Sequence, residues 1–245
     1  MAETIVPESP ATPAPKGLIA RAIGILTSPR ATYAGVAARP RWIGIYLLSV
    51  VIAGGASGAF MSTQVGRRAI VDQQVTAVES FGRHPTQQQL DIYEKMAPYY
   101  MYIAPATQAI SSIIGTLVLS GILIAIFNAL MGGNATFKQV LSVVAHSGIV
   151  LAAQALFVFP LDYVRETMTS PTNFAVFLPM LDEASFLARM LGAIDLFVIW
   201  WVVNLAIGIG VLYKRRTGPI ATGLLVVYAA IAIVVAAVKS AFSGA

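Results

Sequence analysis

Apolar residues dominate five stretches of this chain, at about 42–63, 103–131, 137–159, 189–213 and 220–238. A helix rises ~1.5 Å per residue, so about twenty apolar residues cover the ~30 Å hydrocarbon layer of a bilayer. The pattern predicts an all-α, polytopic membrane bundle of about five transmembrane helices within residues 42–238. The strongest stretch, 189–213, has some twenty residues whose one charge is Asp195, and Lys214, Arg215 and Arg216 follow at once. Gly132, Gly133 and Asn134 predict a tight turn between the second and third spans, and Pro160 is expected to end the third. Gly54, Gly55 and Gly58 in the first span form a GxxxG-type face, where another helix can approach closely. Such a face also admits a homo-oligomer.

The polar intervals read as two outer loops, 64–102 and 160–188. The first is expected to be helical in part, because Thr86 and Gln89 have capping-box spacing ahead of Leu90, Ile92, Tyr93 and Met96. Upstream of the spans, Leu18, Ile19, Ile23 and Leu26 recur at helical spacing beside Arg21, and Ser28-Pro29 stops that run. Residues 17–41 are therefore expected to form an amphipathic segment at the cytoplasmic surface, basic groups toward anionic lipid headgroups. Residues 1–16 are polar and proline-rich, unlike a cleaved signal peptide, and are expected to be a disordered cytoplasmic tail.

Composition narrows the function classes. The chain is 57% hydrophobic and 11% charged, against about 25% charged in an average soluble protein. Its mean hydropathy of +0.76 makes lipid its main solvent. With no cysteine there is no disulfide, thiolate metal site or cysteine nucleophile. The net charge of +5 is assigned to membrane flanks rather than to a nucleic-acid partner. With the N-terminus and the turns 131–138 and 214–217 in the cytoplasm, nine basic residues face two acids there, against seven and eight outside. That asymmetry predicts N-in, C-out, as a multi-pass protein of the inner (cytoplasmic) membrane.

Three stretches together resemble a known family: ILTSPRATYAGVAARPRW entering the first span, GGNATFKQVLSVVAH between spans two and three, and LGAIDLFVIWWVVNLAIGIG in span four. They are similar to the bacterial branch of the Yip (Ypt-interacting protein) family over roughly residues 17–238. The resemblance implies a five-span helical domain with a cytoplasmic N-terminus. Eukaryotic members are linked to Rab-type GTPases and early secretory traffic, but the DLYGP-like signature of those members is not found before span one.

Polar residues inside the spans are the candidates for chemistry, since lipid offers them no partners. His146, Asn204 and Asn128 form an inner layer; His146 and Asn204, at ~13 Å and ~15 Å from the inner face, are expected to be able to hydrogen-bond across spans three and four. Gln154 and Asp195, at ~26 Å and ~28 Å, form an outer layer, with Gln154, Arg189 or loop backbone as partners for Asp195. Their expected role is interhelical bonding, and the functional alternative is a proton or ion relay. Gly55-Ala56-Ser57-Gly58 resembles the GxSG of rhomboid proteases, with His146 as the matching base. Ser57 and His146 lie ~9 Å apart along the membrane normal, however, and the span order differs. No metal-binding or nucleotide-binding motif is present and no cofactor is expected.

The leading expectation is a non-enzymatic membrane protein that organises the membrane or binds protein or lipid. Its contact surface is Arg21, Arg30, Arg39, Arg41, Lys214, Arg215 and Arg216. A small transporter or channel is the alternative, and an intramembrane serine hydrolase comes third. The identity of any protein partner is not legible.

Overall fold

The computed structural model describes residues 17–182 and 185–242, so the expected tail at 1–16 lies outside the described residues. The architecture is an all-helical bundle, and it begins with a short hairpin. Helix α1 (Leu18–Thr27) ends at Ser28, and Pro29 opens α2 (Pro29–Ala38) at a position where its missing N–H costs nothing. The two helices are not simply laid along the bundle. Ile25, Tyr33 and Val36 are fully or almost fully buried, and α2 packs into the bundle's main core. Of the apolar set that defines the amphipathic helix, Leu18 and Leu26 pack against the core while Ile19 and Ile23 stay exposed on the opposite side. Hydropathy does not distinguish packing on protein from exposure to lipid.

Helix α3 (Ile43–Ser62) crosses next. The expected first outer loop is largely two further helices, α4 (Gln64–Glu79) and α5 (Gln87–Met96). The Thr86–Gln89 capping box is present in full, with Gln89 Oε1 accepting from Thr86 N at 2.8 Å. A 3-10 turn at Ala97–Tyr99 leads into α6 (Tyr100–Ile124), which widens into a π turn at Ala125–Leu130. Thr136 then caps α7 (Phe137–Ser147) with a second capping box, and α8 (Ile149–Arg165) follows after a break at Gly148. Pro160 does not end this helix, which runs on to Arg165. A proline forfeits one backbone hydrogen bond and bends a helix, and membrane helices absorb that when neighbours hold them. Asp162 is consequently a buried residue of α8 rather than part of an outer loop.

The stretch 189–213 is not one helix. It consists of α9 (Phe186–Gly192), a break at 193–195, and α10 (Leu196–Leu212). The chain closes with α11 (Thr217–Phe242). Four helical runs among the described residues are long and apolar enough to cross a membrane: Ile43–Ser62, Gln87–Leu130, Phe137–Arg165 and Thr217–Phe242. At 17 residues α10 is shorter, ~25 Å, yet it is a central helix packed on α2, α7, α8 and α11.

Close approach is set by glycine at two contacts. A Cβ on Gly58 would come within 3.2 Å of Met101 O, and one on Gly54 within 3.4 Å of Pro105, so these two seat α3 on α6. Gly55 has nothing within 4 Å and takes no part in that contact, because it points off the packed face. On α10, a Cβ at Gly208 would meet Val143 at 2.5 Å and the Tyr33 ring at 2.9 Å, so glycine there lets α2 and α7 reach the central helix.

Candidate functional site: a polar framework and a basic end

Asp195 is the N-cap of α10, not a charge in mid-helix. Its Oδ1 accepts from the backbone N–H of Phe197 at 2.8 Å and of Val198 at 3.4 Å, and from Gln154 Nε2 at 3.0 Å. Its Oδ2 accepts from Ser170 Oγ and Thr172 Oγ1, both at 2.6 Å. The expected Gln154 pairing is therefore present. The loop is also tied on by backbone, from Phe174 N to Ile194 O and from Leu196 N to Thr172 O. Tyr228 of α11 links the same corner, donating to Ala193 O at 2.9 Å and accepting from Asp195 N at 3.0 Å. A carboxylate with five donors joins one helix start, one loop and one neighbouring helix, which is what a cap needs and not what a free relay group looks like.

The inner layer separates into three sites. His146 and Asn204 do not bond to each other. Asn204 instead serves the hairpin: its Oδ1 accepts from Tyr33 OH at 2.7 Å and its Nδ2 donates to Ile25 O at 2.9 Å. Burial holds the Tyr33 phenol above its usual pKa, so it remains a hydrogen-bond donor. Asn128 lies apart, accepting from Tyr213 OH at 2.8 Å and donating to Ala135 O at 2.8 Å. His146, fully buried, has Nδ1 2.6 Å from Ser142 O and Nε2 3.2 Å from Arg21 Nη1. A carbonyl can only accept, so Nδ1 carries the proton and Nε2 accepts from the guanidinium. The imidazole is neutral. Both of its ring nitrogens are occupied, and neither is bonded to Ser57.

The basic residues converge at one end of the bundle. Arg30 Nη2 donates to Thr217 Oγ1 at 3.3 Å, Arg215 Nη2 to Met131 O at 3.0 Å, and Gln139 Nε2 to Ala37 O at 3.2 Å. These bonds bring 30–41, 131–139 and 214–217 together. Lys214 adopts a left-handed conformation (φ 53°), which turns the chain out of α10 while Arg215 N closes on Gly210 O at 2.8 Å. Among the described residues, Arg21, Arg30, Arg39, Arg41, Lys138, Lys214, Arg215 and Arg216 form no ion pair with an acid. Arg21 is partly buried, and burial, then the neighbouring Arg41, depress its pKa. A guanidinium nevertheless stays charged at any physiological pH.

The family model of the Yip1 domain matches residues 23–238, which takes in the hairpin from within α1 and all the long apolar helices. The chain belongs to the Yip1-domain family. Neither a curated protein nor a solved structure matches it. With its apolar helices, this Yip1-domain protein is a multi-pass membrane protein.

One further feature of this Yip1 domain had no counterpart in the sequence reading. A cavity of about 310 Å³ lies between α3, α6, α7, α8 and α10. Gln108, Ser112 and Thr116, four residues apart on α6, line it together with Tyr46, Ser49 and Trp201. Tyr46 OH donates to Ala109 O at 2.9 Å and lies 3.0 Å from Ser112 Oγ. The i, i+4 recurrence was readable, but nothing marked the face as lining a cavity. No group of three or more His, Asp or Glu placed to hold a metal occurs among the described residues.

Proposed function

We propose that this Yip1-domain protein is a non-enzymatic component of the inner membrane, acting on lipid or on a partner protein through its basic end, which faces the cytoplasm. The observation that carries this reading is the contrast between the two kinds of polar group. The polar residues Asp195, Gln154, Asn204, Asn128 and His146 bond to groups of the protein itself. The cations of the basic end have no acidic partner among the described residues, so their charge is available to an anionic surface. The positive-inside asymmetry supports a cytoplasmic position for that end. Crosslinking the protein in its native membrane, extracting it in mild detergent and identifying what co-purifies tests the reading. Loss of a reproducible partner or of anionic lipid when Arg39, Arg41, Arg215 and Arg216 are changed to Gln supports it; indifference to those changes counts against it.

A small-transporter reading draws on the 310 Å³ cavity, where Gln108 forms no hydrogen bond with the protein among the described residues. Ion or proton flux in proteoliposomes that disappears in Gln108→Leu would favour it.

A further inference from the structure

We infer that the 310 Å³ cavity between α3, α6, α7, α8 and α10 binds a neutral amphiphile drawn from the bilayer, an apolar body carrying a hydroxyl or carbonyl oxygen that meets the amide of Gln108. The site goes beyond the reading of the basic end and does not depend on it.

The cavity wall contains a broken helix. Helix α7 stops at Ser147 and α8 starts at Ile149, and Gly148 between them lines the cavity beside Ala145 and Ala152. At membrane depth an interrupted helix is tolerated where protein encloses it or where it lines a cavity, and membrane proteins build binding sites at such breaks.

The polar groups on the wall fall into two kinds. The hydroxyls of Tyr46 and Ser112 both donate to Ala109 O at 2.9 Å, and that of Ser49 donates to Ile45 O at 2.9 Å. Trp201 Nε1 donates to Ser147 Oγ at 3.0 Å. Gln108 and Thr116 form no side-chain hydrogen bond with the protein among the described residues. A threonine hydroxyl can turn back onto the helix carbonyl one turn earlier. The Gln108 amide has two N–H donors and a carbonyl to satisfy, and in an apolar setting it needs a partner that brings its own oxygen.

The class of occupant follows from the rest of the wall. None of its lining residues is charged, so the occupant is neutral. An apolar cavity of ~150 Å³ holds one benzene ring, so this one takes a body of about two rings or a folded length of alkyl chain. The wall is open at Gly115, where a Cβ would meet nothing within 4 Å. Val118 and Ile122 follow Gly115 at helical spacing and continue its side of α6, and they are 56% and 51% exposed. In a helix long and apolar enough to span a membrane, uncovered valine and isoleucine beside the opening mark a mouth that gives onto hydrocarbon.

The full chain in mild detergent is irradiated with a dodecanol that carries a mid-chain diazirine, and the labelled peptides are mapped by mass spectrometry. Dodecanol and dodecane compete at equal mole fractions in the micelle, and thermal midpoints are recorded for every variant. Label is expected on 108–119 and 144–152. Dodecane should displace it about fivefold less well than dodecanol, the worth of one neutral hydrogen bond. Gln108→Leu should remove that difference. Gly115→Leu places a side chain at the mouth, where no atom obstructs it, and should cut labelling of both segments about tenfold or more. Gly121→Leu, equally open on the same helix but away from the cavity, should stay within about twofold of the parent. If Gly115→Leu does not fold, Gln108→Leu carries the test. Label spread over all the outer helices and unmoved by Gly115→Leu would overturn the site. Equal competition by dodecane in the parent would overturn the amphiphile as its occupant. Ion flux lost in Gln108→Leu, with no cavity labelling in the parent, would overturn the site in favour of a transport path. None of these results bears on the basic end, whose arginines lie outside the cavity.

Discussion

A carboxylate within an apolar stretch invites a reading as a proton carrier, and at Asp195 the structure points the other way. Both oxygens are taken, one largely by the start of α10 and one by the loop at Ser170 and Thr172. Asp195→Ala should lower stability by about 1–3 kcal/mol, from the lost cap and the unpaired donors left behind, seen as a fall in the thermal midpoint in detergent. Asp195→Asn retains one acceptor and should fall between parent and Ala. The same scale separates glycines that look equivalent in sequence. Gly55→Ala should leave stability unchanged or raise it by up to about 1 kcal/mol, because its surroundings are open and alanine favours helix. Gly208→Val should destabilise by about 1–3 kcal/mol, since the Tyr33 ring that it meets is fully buried and cannot yield. Thermal scans of the two variants side by side check this.

Between elements, the decisive contact is the hairpin α1–α2 on α7 and α10, joined through Asn204 to Tyr33 and Ile25. Asn204→Leu leaves a buried hydroxyl and a carbonyl without partners. It should open the hairpin locally, with amide exchange in 18–38 rising about tenfold or more while exchange in α3 and α8 is unchanged. How much of this was legible differed by element. The long apolar runs, the turn at 132–134 and the Thr86–Gln89 box could be read because each depends on residues adjacent in sequence. The break ahead of α10 was also written locally, as an aspartate directly before an apolar run, but averaging hydropathy over 189–213 hid it. The hairpin's docking was not legible, since an isoleucine reads the same against lipid and against leucine. Nor was the Arg21–His146 contact, whose members stand 125 residues apart.

For the whole molecule, orientation is the property to measure. The natural absence of cysteine means that single cysteines can be introduced without a background. With the basic end cytoplasmic, Lys214→Cys should be shielded from a membrane-impermeant maleimide in intact cells and labelled after permeabilisation. Pro179→Cys, in the opposite loop, should react without permeabilisation. The reverse pattern would invert the bundle.

The brevity of α10 bears on how the protein sits in membranes of different thickness. At ~25 Å it falls short of a typical hydrocarbon layer, but most of its surface is enclosed by α2, α7, α8 and α11, with folded chain above and below. Acyl chains press mainly on the perimeter, above all on α11, which buries only Ala232 and Ala236. Lengthening the lipid tails should therefore tilt or strain the outer staves of this barrel-like arrangement while the short inner post is left undisturbed.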